Sequence, residues 1–240
     1  MPKIPFCAGD FRLVKWDRPR KKSAYERSTA HHLEVKEAMK KTFMPSAGSQ
    51  DELLDLQLRG LQWSVNHAYQ GSDFYRKRFD EANVKPGDIR SLDDLKRLPF
   101  TTAQDLQDGY PFPLRSVPFR DIVRIHASSG TTGKRKVLCY TQKDIDDWGA
   151  FFARCYEMAG LTEEDRVQIA VGYGVWTAGV GFQLGCERFG AMAIPAGPGN
   201  IDMQCTFLID FQSTALCCTA SMGLLMACLL YTSPSPRDRS

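Results

Sequence analysis

The 240-residue sequence contains no apolar run near the about 18–20 residues that a membrane-crossing helix needs. No apolar h-segment follows its basic N-terminus, so a secretory signal is not expected. It has eight cysteines, Cys7, Cys139, Cys155, Cys186, Cys205, Cys217, Cys218 and Cys228, and none forms a C-x-x-C pair. Zinc knuckles and disulfide frameworks need closer, patterned spacing. His31, His32, His67 and His126 are equally scattered. These absences exclude a membrane-spanning protein, a secreted disulfide scaffold and a zinc-centred fold. Small buried thiols in a reducing cytosol fit the pattern, and a cytoplasmic protein with no metal site is expected. The neighbours Cys217 and Cys218 face opposite ways on a strand, which disfavours a bridge, and they are expected to pack in a core.

With 43% hydrophobic and 25% charged residues, the composition is that of a globular protein. A chain of this length buries roughly 70–75% of its unfolded surface and needs no covalent staple. The net charge of +3 hides an asymmetry: residues 1–41 hold eleven Lys or Arg against five Asp or Glu, and the rest hold 20 against 23. The leader has neither aromatic interleaving nor a nucleic-acid motif, so neither a nucleic acid nor a membrane is expected as partner.

Residues 1–45 form an unassigned basic leader. Ser49-Gln50-Asp51-Glu52 reads as a capping box, and Leu53, Leu54, Leu58, Leu61 and Val65 form one helical stripe through about Tyr69. Phe74–Ala82 is a second helix, and Ser91-Leu92-Asp93-Asp94 and Thr102-Ala103-Gln104-Asp105 are two further starts. From residue 121 the pattern changes. Strands are predicted at 122–126, 137–141, 167–171, 191–194 and 215–219, with helices at 141–159, 176–189, 202–211 and from 222. Alternation of this kind argues βαβ units and a parallel sheet, an α/β fold behind a short helical region.

Ser128-Ser129-Gly130-Thr131-Thr132-Gly133-Lys134 carries the chemistry. Glycines let several backbone N–H groups converge in an anion-binding nest, hydroxyls add donors, and a lysine adds mobile charge. A polyphosphate suits such a loop. A Walker A loop is excluded, because two residues rather than four separate Gly130 from Gly133 and Arg135 follows Lys134. The kinase G-x-G-x-x-G pattern is also missing. Taken alone, the segment also fits a plain Ser/Gly hairpin turn.

With its flank Arg124-Ile125-His126-Ala127, the loop resembles the phosphate loop of adenylate-forming enzymes, in the phenylacetate–CoA ligase branch. His67-Ala68-Tyr69, Phe74–Phe79, Leu98-Pro99-Phe100-Thr101-Thr102, Tyr140-Thr141, Gly172-Tyr173-Gly174 and Ala215–Thr219 agree in order with that family over about residues 50–227. The resemblance implies an incomplete adenylate-forming large domain over residues 46–227. It implies an AMP-forming ligase that activates an aryl- or arylacetic-type carboxylate with ATP and Mg²⁺ and passes the acyl group to coenzyme A. Ser128, Ser129, Gly130, Thr131, Thr132, Gly133 and Lys134 would hold the ATP phosphates, and Val171, Tyr173 and Trp176 would line the acyl pocket. A homodimer is expected of the full-length protein.

Three positions depart from the family pattern. Arg135 stands where proline is usual, and Val171 and Trp176 stand where the family has tyrosine and phenylalanine, so a shifted carboxylate preference is expected. Trp176 packing in the core is the alternative. The family's catalytic lysine has no counterpart in these residues. Residues 228–240 are expected to be a non-native tail, and the chain alone is expected to be inactive and poorly soluble. Two other readings stay open: an adenylating enzyme with a different acceptor, and a non-catalytic nucleotide-binding module.

Overall fold

The computed structural model describes residues 11–15 (main chain only), 42–44, 48–112, 114–130 and 133–232. Most of the basic leader, with Cys7, His31 and His32, and residues 233–240 of the expected tail lie outside them. The chain divides into two compact units, residues 45–146 and residues 147–240 together with 1–44.

In the first unit, helix α1 (Gln50–Gly71) starts where Ser49 accepts the Glu52 N–H at 3.1 Å. The Glu52 carboxylate caps the Gly48 N–H at 2.7 Å rather than that of Ser49, so the expected box closes one residue earlier. Val65 is buried and Leu61 packs beside it, but Leu54 is 41% exposed and lies off the stripe. Helix α2 (Asp73–Glu81) adds Phe79, and a 3₁₀ turn at Pro86–Asp88 is flanked by Val84 and Ile89, completing a small apolar cluster. Lys85 bonds to both Asp80 and the Tyr69 hydroxyl.

The two predicted starts at Ser91 and Thr102 are both capping boxes. The first opens a 3₁₀ helix (Leu92–Arg97), and the second opens the short helix α3 (Ala103–Asp108). Backbone N–H groups of Arg90 and Ser91 donate to the Asp94 carboxylate, and these bonds hold its pKa down at about 2. The unit ends in strands β2 (Ile122–Ala127) and β3 (Val137–Thr141), and the division from the second unit falls within helix α4 (Gln142–Met158). β2 and β3 form an antiparallel pair of their own, not part of the expected parallel sheet. Nine residues join them, which suits a hairpin rather than the helical crossover that parallel strands need.

In the second unit, strands β1 (Phe11–Lys15), β4 (Arg166–Ile169), β5 (Met192–Ile194) and β6 (Ala215–Thr219) make a sheet of order β1-β6-β4-β5. β4 runs parallel to β5 and β6, while β1 adds antiparallel to β6. The sequence leaves β1 within the unassigned leader.

Helices α5 (Ala178–Phe189), α6 (Ile201–Asp210) and α7 (Ala220–Thr232) connect and flank these strands. Residues 228–232 of the expected tail lie within α7. The two-residue side-chain period sorts the core. Ala215 and Cys217 pack with Val167, Ile169 and the α4 and α5 side chains Tyr156, Cys186 and Phe189. Leu216 and Cys218 pack on the other face with Met222, Met226 and Leu208. Val167 and Ile169 are 0% exposed, and each stabilises the fold by about 1.5–3 kcal/mol. Gln168 faces α6, where its amide donates to the Gln204 side chain at 2.6 Å and its oxygen accepts from Ser213 at 3.0 Å. The parallel core is the one expected, and helices cover both of its faces.

Candidate functional site

The loop between β2 and β3 is held shut at its base. Ala127 and Val137 are the last paired residues. Beyond them the Ser128 N–H donates to the Lys136 carbonyl, and the Lys136 N–H donates to the Ser128 hydroxyl, both at 3.0 Å. One hydroxyl of the motif therefore has an internal structural role. Gly130 and Gly133 lie at φ +76° and +130°, values that favour glycine, and the Gly133 N–H reaches the Gly130 carbonyl at 3.4 Å. Ser129 and Lys134 are exposed, and among the described residues Lys134 pairs with no carboxylate. Thr131 and Thr132 lie outside the described residues.

Two contacts of this loop carry no signal in the sequence. The Gln107 amide of α3 lies about 3.4 Å from where a Gly133 Cβ would stand. Arg135 folds back so that its Nη1 donates to the Ser128 carbonyl at 3.1 Å. Upstream, His126 is buried, with its ring edge-on to Tyr140 at 5.2 Å. Burial, then the charge of Asp144, pushes the Tyr140 phenol up. The exposed Ser129 hydroxyl and the mobile Lys134 ammonium on a glycine turn are suited to a polyphosphate.

The second predicted cluster belongs to the other unit and follows β4. Val171 is buried in the core beside Ala178 and Cys217. The chain then turns through Gly174 at φ +89°, and the Gly179 N–H returns to the Gly172 carbonyl at 3.0 Å. The Tyr173 ring lies over Gly179, where a Cβ would come within 2.8 Å of it. The Tyr173 hydroxyl is buried with no hydrogen-bond partner among the described residues, and burial, then the nearby Cys217, raises its pKa to about 12. Trp176 is 44% exposed, so the alternative of a core-packing indole is not what the structure shows. Val171, Tyr173 and Trp176 thus sit on one turn in three environments: packed, buried but polar, and open.

Cys217 and Cys218 are both buried on opposite faces, and burial raises both thiols. This suits packing and not reactivity. Among the described residues, no three His, Cys, Asp or Glu side chains group as a metal site, and no helix is long and apolar enough to cross a membrane.

The fold is that of the acyl-CoA ligases. It aligns with an open conformation of 2-hydroxyisobutyryl-CoA ligase, solved with 2-HIB-AMP and CoA, at a TM-score of 0.64 and 24% identity over 71% of this chain and 40% of that one. The same ligase in its thioesterification state aligns at 0.63 and 24% identity over 84% and 43%. No protein-family model matches the chain. Among curated proteins, it is 47% identical over 176 residues to the phenylacetate-coenzyme A ligase of Escherichia coli (strain K12), 73% of this chain and 40% of that one. It is 46% identical over 176 residues to the ligase of the same name from Aromatoleum evansii and 38% over 177 to that of Thermus thermophilus, covering 73% and 74% of this chain and 40% of each relative. Over these residues the chain resembles the phenylacetate–CoA ligases. It spans 40% of the length of these relatives.

Proposed function

We propose that the chain forms part of an ATP-dependent ligase that activates an aryl- or arylacetic-type carboxylate and transfers it to coenzyme A. A carboxylate oxygen attacks the α-phosphorus of ATP, forming the acyl-adenylate and expelling pyrophosphate. The CoA thiol then attacks the acyl carbon, gives up its proton and expels AMP. Free carboxylate would have to expel oxide, so adenylation supplies the better leaving group.

The observation that carries the reading is the glycine-turned loop at Ser128–Gly130 and Gly133–Lys134, closed at its base by Ser128 and Lys136. In this role its N–H groups, Ser129 and Lys134 hold the departing phosphates, so the protein contributes position and charge. The donors fit a phosphate chain. No carboxylate cage surrounds the loop among the described residues, so a Mg²⁺ ion in this reading travels on the nucleotide's own phosphates. Val171, Tyr173 and Trp176 are assigned to carboxylate selection.

Calorimetric titration with Mg·ATP tests the loop. Saturable binding is expected, weakened about ten-fold or more in Lys134→Ala, the size of a lost charged hydrogen bond. No binding, or equal binding by the variant, contradicts the assignment.

A further inference from the structure

Arg135 reaches back to the Ser128–Gly130 turn. Its Nη1 donates to the Ser128 carbonyl at 3.1 Å, and its Cγ would stand 2.8 Å from a Cβ placed on Gly130. One side chain therefore touches both ends of the Ser128–Gly130 turn, whose base the Lys136 main chain already fixes. A guanidinium carries five N–H donors in one plane, and Ser128 takes one of them. Among the described residues Arg135 pairs with no carboxylate, and its neighbour Lys134 pairs with none either. Adjacent unpaired cations repel, and a multiply charged anion relieves that repulsion. The planar fork also suits phosphate oxygens better than a point charge does.

We propose that Arg135 is the positioning residue of this loop. It holds the Ser128–Gly130 turn in shape before a ligand arrives, and with Lys134 it presents the free edge of its guanidinium to a polyphosphate. The proposal rests on the phosphate-loop reading above.

The test compares the 240-residue chain with Arg135→Met and Arg135→Lys, after far-UV circular dichroism shows all three folded alike. Two quantities are measured: tripolyphosphate affinity by calorimetry, and amide hydrogen exchange at Ser128 and Lys136. Arg135→Met should bind tripolyphosphate about ten-fold more weakly and exchange faster at both amides. Arg135→Lys should recover part of the affinity, because the charge returns without the fork. If tripolyphosphate binds and Arg135→Met changes neither quantity, Arg135 has no such role and the phosphate-loop reading stands. If the unaltered chain binds no tripolyphosphate while exchange still responds to Arg135→Met, Arg135 is a structural brace, and both this proposal and that reading fail.

Discussion

Phe152 of α4 lies directly over Gly185 of α5, so a Cβ on that glycine would meet the Phe152 Cβ and stand 2.9 Å from its carbonyl carbon. One turn earlier, a Cβ on Gly181 would lie 2.7 Å from the Phe152 ring and 2.8 Å from Trp148. Glycines four apart on one helical face let the two helices close together. Gly185→Ala should therefore destabilise the chain by about 1–3 kcal/mol in urea unfolding. Gly60→Ala is the control: that position in α1 has nothing within 4 Å, and alanine there should stabilise by about 0.5–1 kcal/mol. Equal effects of the two would contradict the packing described.

Cys186 predicts how stability varies with pH. It is wholly buried, and burial, then the charge of Glu187, pushes its thiol up to about 12 from an ordinary 9.0. Above 9.0 the unfolded chain releases this proton while the folded chain keeps it. The stability it contributes is complete below 9.0 and is lost as pH rises toward 12, by about 1.4 kcal/mol per pH unit. Tyr173, raised from 10.0 to about 12, acts in the same direction over a narrower window. Urea midpoints should fall as pH rises through this range, and less steeply in Cys186→Ala. An unchanged slope in that variant would contradict the burial.

Tyr173→Phe removes a buried hydroxyl that has no hydrogen-bond partner among the described residues. An unpaired buried hydroxyl costs about 1–3 kcal/mol, so the variant should unfold at higher urea than the parent chain. A loss of stability greater than about 1 kcal/mol would show that the hydroxyl is satisfied in solution.

The helix starts at Ser91 and Thr102, the β-branched runs of β2 and β3 and the alternation of strands with helices were legible because each rests on local chemistry. The glycine-turned loop between β2 and β3 was legible from residue types within one heptapeptide. Legibility ended where partners are distant. The place of β1 beside β6 depends on a pairing some 200 residues apart, and its short polar-flanked run carries no mark of it. The antiparallel closing of β2 on β3 was legible only as the hairpin alternative for the loop, because alternation with helices elsewhere argued for parallel strands. Leu54 fits the helical period yet faces out, because the neighbours of α1 cover only the side around Val65. Gln107 and the fold-back of Arg135 are contacts that no motif announces.

The central proposal is that these residues form part of a ligase that adenylates an aryl-type carboxylate, and a chimera tests it most directly. Residues 50–227 would replace the corresponding segment of the Escherichia coli phenylacetate-coenzyme A ligase, and acyl-CoA formation would be followed over a panel of aryl and alkyl acids with ATP and CoA. The account predicts acyl-CoA from aryl or arylacetic acids, abolished by Lys134→Ala, with a preference that moves toward the parent ligase when Val171→Tyr and Trp176→Phe are introduced together. A well-folded chimera that forms no acyl-CoA, or whose preference is unmoved by the two substitutions, would contradict the assigned activity or the assigned pocket respectively.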